Sequence, residues 1–286
     1  FTFFIPQIAK PDEEYVSRGC GYSNPKGLQL TLQNNVQHEA QFGEFPWMIS
    51  ITETTCNSCN SKPQGGGSLL APNVVLTTAH KIANVSVEHL RVRAGEWDQL
   101  STAEPLEHQD RLVAKKILHP SFNSVSGAYD AALLILKTPF ELSPHIDTIC
   151  LPARAENLAP SRCIVTGWGK KTMNDPDYPN FLKKIDLPYV DRARCTQMMR
   201  NTILGRYFQL HSSFICAGGE KDKDSCMGDG GSPLVCPSSN GGPDRYVVTG
   251  IVSWGLDCGR ENVPGVYASV KVLRPWIDQQ LALHSI

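Results

Sequence analysis

At 286 residues the chain is long enough for one large hydrophobic core or two smaller ones. Its formal net charge of −1 supplies no overall field that would draw nucleic acid or an anionic membrane. Ten cysteines, with no Cys/His zinc spacing and alongside 20 prolines and 23 glycines, point to a disulfide framework formed in an oxidising, extracellular setting.

The opening run Phe1-Thr-Phe-Phe-Ile-Pro-Gln7 has no basic flank before it and no small-residue cleavage site after it. It reads neither as a leader nor as a membrane span, so secretion implies a signal removed upstream. Residues 1–33 carry Cys20 but no sustained period of 2 or 3.6, and are expected to form an extended arm. From Phe42 onward the texture changes to short β-prone runs separated by turn residues. The first group comprises Trp47–Ile51, Ser68–Leu70, Val74–Thr78, Leu90–Ala94, Val113–Leu118 and Ala131–Leu136. The second comprises Cys163–Thr166, Leu182–Val190, Phe214–Ala217, Pro233–Cys236, Tyr246–Ser253 and Gly265–Ser269. Short strands in two groups predict an all-β fold of two antiparallel six-stranded barrels, at about 34–148 and 149–270. Apolar residues at three- and four-residue spacing predict a C-terminal helix over about 273–283. Asn84-Val-Ser86 is a glycosylation sequon, used or unused.

Three stretches lie in the order of a catalytic triad: Thr77-Thr-Ala-His80, Asp130-Ala-Ala-Leu-Leu-Ile-Leu136, and Asp224-Ser-Cys-Met-Gly-Asp-Gly-Gly-Ser-Pro-Leu-Val-Cys236. With Phe45-Pro-Trp47, Gly66-Gly-Ser-Leu69, Val165-Thr-Gly-Trp-Gly169, Ser253-Trp-Gly255 and Pro264-Gly-Val-Tyr267, the chain resembles the trypsin-like serine proteases from about residue 34 to its end. The resemblance implies the chymotrypsin-like double barrel. It also implies a mechanism in which a serine attacks, a histidine takes its proton, an aspartate orients the histidine and backbone N–H groups hold the oxyanion.

Against that pattern, His80 and Asp130 occupy the base and orienting positions, but Gly230 stands where the nucleophilic serine belongs. Loss of that hydroxyl leaves roughly 10³–10⁴-fold acceleration over water, negligible for a peptide bond. Ser232 is the nearby alternative, two residues further along a tight turn; otherwise His80 and Asp130 remain as a hydrogen-bonded structural pair. Members of the family also insert a freed Ile-Val-Gly-Gly amino terminus against the aspartate beside the nucleophile, here Asp229. This chain has Asn34-Asn-Val-Gln37 at that segment, so Asp229 is expected to lack its partner unless another donor reaches it, leaving a zymogen-like loop and no oxyanion hole. The bridge beside the histidine is missing too, with Lys81 and Gly65 at its cysteine positions.

By the same resemblance the cysteines pair as Cys20–Cys150, Cys163–Cys236, Cys195–Cys216 and Cys226–Cys258. Cys56 and Cys59 remain, either as a local staple or as a redox or metal pair. Asp224 takes the position that selects Arg or Lys, walled by Ser253, Trp254, Gly255 and Gly265. Two readings stand: a docking pocket for a basic side chain, or an inherited residue in a collapsed one. Glu96, Glu104 and Glu107 lie in a loop resembling the family's calcium loop, so a Ca²⁺ site and a solvated acidic loop are both open.

The Gly-Asp-Gly-Gly-Ser-Pro loop, the Cys20-Gly-Tyr22 arm, the Gly43–Trp47 entry and the missing bridge further resemble the clip-domain serine protease homologues of arthropods, of the prophenoloxidase-activating cofactor type. That resemblance implies a secreted, non-catalytic haemolymph factor in melanisation, working with prophenoloxidase, its activating protease and clip domains; monomer and oligomer are both open. No clip-type six-cysteine module occurs in the sequence at hand. A pattern-recognition or adhesion protein on the same scaffold, or a weak protease using Ser232, are the alternatives.

Overall fold

A computed structural model describes residues 15–28, 38–54, 61–102, 104–153, 161–239 and 241–284. The first six strands are β1 (Met48–Thr54), β2 (Ser61–Ala71), β3 (Val74–Thr77), β4 (Leu90–Ala94), β5 (Gln109–Leu118) and β6 (Ala132–Leu136). They close as an antiparallel barrel in the order β1-β2-β3-β6-β5-β4. The next six are β7 (Arg162–Gly167), β8 (Lys183–Val190), β9 (Phe214–Gly218), β10 (Pro233–Pro237), β11 (Tyr246–Trp254) and β12 (Pro264–Ser269). They close in the order β10-β11-β12-β9-β8-β7. Alternation decides which face turns inward. In β4, Leu90, Val92 and Ala94 are buried while Arg91 and Arg93 are partly exposed. Closure of both sheets then removes the open edges at which strands aggregate.

β2 begins well before the expected Ser68, because Pro63 and Gly65-Gly-Gly67 read as a turn. The glycines instead serve a close approach. A Cβ on Gly67 would come 2.8 Å from Val75 Cγ1, and one on Gly66 would collide with Ser232 Oγ. Two short helices escaped the sequence reading: α1 (Ala79–Ile82), directly after β3, and α2 (Arg192–Arg200), capped by Asp191 accepting from Arg194 N at 3.0 Å. The terminal helix α3 (Val270–Leu283) starts three residues earlier than expected, with Pro275 inside it.

Val270, Leu273, Trp276 and Ile277 of α3 are buried in the same apolar cluster as Trp47, Leu76 and Ile82 of the first barrel and Val235, Val248 and Ile251 of the second. One core therefore runs through the junction of the barrels and fixes the walls between them. Residues 15–28 of the arm lie against this body. Cys20 bridges Cys150, Tyr15 and Ser17 hydroxyls donate to Asp147 Oδ2, and Tyr246 N donates to Gly21 O. The other described bridges are Cys163–Cys236, Cys195–Cys216 and Cys226–Cys258. Cys56, Cys59 and the 34–37 segment lie outside the described residues. Among the described residues, no helix is long and apolar enough to cross a membrane.

Candidate functional site

His80 enters the cleft from α1 because Thr78 leaves β3 in an extended conformation and the chain turns at once into the helix. Asp130 approaches from the segment before β6, where Tyr129 takes a left-handed φ of 54°. Asp130 is buried, and its carboxylate accepts from His80 N at 2.9 Å and from Ser253 Oγ at 2.7 Å. His80 Nδ1 lies 2.6 Å from Asp130 Oδ2. The base and its orienting group are thus wired as the chemistry requires, with Ser253 of β11 doubling as a buttress.

Opposite the imidazole stands Gly230, at the nucleophile's position. A Cβ built on it would stand 3.6 Å from His80 Nε2, which is where a nucleophile's side chain would project. Gly230 is not among the positive-φ glycines, so the backbone does not demand glycine here. Ser232 is no substitute: it is buried, and its Oγ faces Gly66 and Gly167 rather than the cleft.

The expected loss of a partner for Asp229 is overturned. Asp229 is 1% and Lys183 3% exposed at the side chain, and Lys183 Nζ reaches Asp229 Oδ2 at 2.6 Å. The same ammonium donates to Lys170 O at 2.7 Å, while Gly169 N and Cys226 N donate to the two carboxylate oxygens at 2.7 and 2.8 Å. A lysine from the start of β8 thereby does what an inserted amino terminus does elsewhere in the family. The stated reason for a zymogen-like loop falls away. The signal was present in the sequence: Lys183 is in phase with the inward-facing Ile185 and Leu187, and a charge at an inward position calls for a buried counter-charge. Among the described residues, the N–H groups of Gly228 and Gly230 make no hydrogen bond, and both glycines line the cleft.

The pocket is open rather than collapsed. A cavity of roughly 270 Å³ has the buried Asp224 at one end, Ser253, Trp254, Gly255 and Gly265 along its walls, and His80 and Gly230 also lining it. Asp224 Oδ2 accepts from Gly259 N at 3.3 Å, but Oδ1 is buried with no hydrogen-bond partner. Burial, outweighing the Gly259 and Ser225 N–H groups, pushes the carboxyl up to about 7. An orphaned carboxylate oxygen at the end of an open pocket suits a cationic side chain.

In the acidic loop, Glu96, Glu104 and His108 place ligand atoms within 4.8 Å of one another. Glu107 is not in this group, contrary to expectation; its main-chain oxygen instead accepts from His145 Nε2 at 2.9 Å. Glu104 Oε2 is buried without a partner, and burial together with Glu104 pushes Glu96 up to about 7. Two crowded carboxylates with an unsatisfied oxygen fit a hard cation such as Ca²⁺, with Arg93 partly neutralising Glu96 at 2.9 Å. Asn84 is exposed in the turn after α1.

Double barrel, wired His–Asp pair and a cavity ending in a buried aspartate together define a serine-protease-like protein. The chain belongs to the trypsin family, whose model matches residues 35–277. Within that family it is similar to phenoloxidase-activating factor 2 of Galleria mellonella, 47% identical over 281 residues, spanning 95% of this chain and 92% of that one. It is also similar to the inactive CLIP domain-containing serine proteases A8 and A28 of Anopheles gambiae. These are 42% and 40% identical, over 93% and 92% of this chain and 72% and 68% of theirs.

Proposed function

We propose that the chain is a secreted, non-catalytic cofactor of prophenoloxidase activation that holds partner proteins, through a basic side chain, in its former substrate cleft. One contrast carries this reading. The recognition half of the site is assembled, with Asp229 paired and Asp224 facing an open cavity, while the nucleophile position is a bare glycine. The names of the relatives, a phenoloxidase-activating factor and inactive clip proteases, support the pathway and the lack of catalysis. Four described disulfides support an extracellular location, which for such a cofactor would be the haemolymph. Glu96 and Glu104 would hold a calcium ion that stiffens the loop beside β4 and supplies no chemistry.

Reconstitution with prophenoloxidase and its activating protease tests the proposal. Added protein is expected to raise phenoloxidase activity, and Asp224→Ala with Trp254→Ala to remove most of the gain. Full cofactor activity in that double variant would show that the cleft is not the binding surface.

A further inference from the structure

The residue after His80 brings a positive charge into the cleft. Lys81, on α1, is half-buried, and among the described residues its ammonium makes no hydrogen bond or ion pair. Its side chain lies over Gly230, since a Cβ built on that glycine would come 2.6 Å from Lys81 Cε. A lysine stem therefore fills the space in which a nucleophile's side chain would stand. Lys81 lines both the cavity that ends at Asp224 and an adjoining one of roughly 170 Å³ walled by Gly65, Gly66, Trp168 and Tyr178. It stands at the divide, where the chain of a substrate would pass from one side of the cut to the other.

We propose that the cleft reads a chain end: the carboxyl-terminal arginine or lysine of a partner that has already been cut after that residue. The side-chain cation pairs with Asp224, and the terminal carboxylate is held by Lys81 and the free N–H groups of Gly228 and Gly230. This rests on the cleft-binding reading above and names the partner's chemistry.

The charges of the site match such an end at both places. One buried carboxylate oxygen waits at one end and one ammonium also lines the cavity, while a C-terminal basic residue carries a cation and an anion in the complementary order. An uncut chain offers a neutral carbonyl at the second position, so Lys81 would lose water without gaining a counter-charge. A terminal carboxylate brings a second oxygen and a full charge, and hydrogen bonds between ionised groups are about twice as strong as neutral ones. Lys81, whose stem stands where Gly230 lacks a side chain, supplies the cation to meet that oxygen. A trypsin-like cleavage after a basic residue is the class of reaction that must supply this ligand.

Fluorescence anisotropy at pH 8 with the intact chain and three labelled peptides tests the proposal: one ending in Arg with a free carboxylate, the same peptide amidated, and one extended past the Arg by two alanines. The free acid is expected to bind about tenfold tighter than the other two, as one charge-assisted contact provides. Lys81→Met should bring all three within about twofold, on the same constant, Lys81→Arg should keep the preference, and Asp224→Asn should weaken all of them. Equal binding of acid and amide, or a preference that survives Lys81→Met, overturns the chain-end proposal while leaving cleft binding intact. Failure of all three peptides to bind overturns both readings. Circular dichroism confirms that each variant is folded.

Discussion

Gly230 is a glycine that its backbone does not need, next to a histidine and an aspartate that are still hydrogen-bonded as a working pair. The side chain is what is missing, and it can be put back once Lys81 is moved aside. Gly230→Ser combined with Lys81→Ala is expected to hydrolyse an arginyl ester about 10²-fold or more above the parent chain, because general-base assistance by His80 is worth that much. Adding His80→Ala should remove the gain, and no gain at all would mark His80 and Asp130 as structural only. Asp224 shows the cost of keeping a recognition pocket. Its carboxyl is raised from 3.8 to about 7 by burial, with Asp229 adding to the rise and Lys183 opposing it. The folded chain therefore holds a proton that the unfolded chain releases, and stability from this group falls as pH rises from about 4 to about 7. Asp224→Asn should be more stable than the parent at pH 8, on the order of 2 kcal/mol by urea denaturation, and little different at pH 4. Of these residues, His80, Asp130, Gly230 and Asp224 were legible from motif order. Lys81 was legible only as the absence of a cysteine, because its position over Gly230 depends on the approach of two segments distant in sequence.

β8 carries what sequence reading missed at the level of elements. Its strand character follows from alternation, but the meaning of Lys183 at an inward position depends on a loop 46 residues away. Removing one member of a buried ion pair leaves the other uncompensated, at roughly 3–5 kcal/mol. Lys183→Met is accordingly expected to unfold at much lower urea concentration than the parent. Lys183→Met with Asp229→Asn should recover a good part of that loss, since the orphaned charge is gone. Equal stability of the single and double variants would mean that the pair does not act as a pair. β2 and α2 escaped for different reasons. Glycines 65–67 resemble a turn but serve packing against Val75, Ser232 and Gly230. In α2 only Cys195 and Met199 are buried, too thin a stripe to announce a helix.

At the scale of the whole molecule, the alternation of apolar residues and the spacing of motifs determine the double barrel. Disulfides, the arm and the acidic loop then hold it. Calcium added to the metal-free chain is expected to raise the melting temperature by a few degrees, as binding to the folded state alone requires. Glu104→Gln should abolish that rise, and an undiminished rise in the variant would place the ion elsewhere. The cleft itself is the joint product of both barrels. His80 and Asp130 come from the first, Asp224, Gly230 and Ser253 from the second, and Lys183 of the second barrel pairs with Asp229 beside Gly230. Titration of the uncut chain with a fluorescent benzamidinium probe addresses this most directly. Saturable one-to-one binding that is lost in Asp224→Asn and in Lys183→Met is the expected result. Absence of binding until the chain is cleaved would contradict a preassembled cleft.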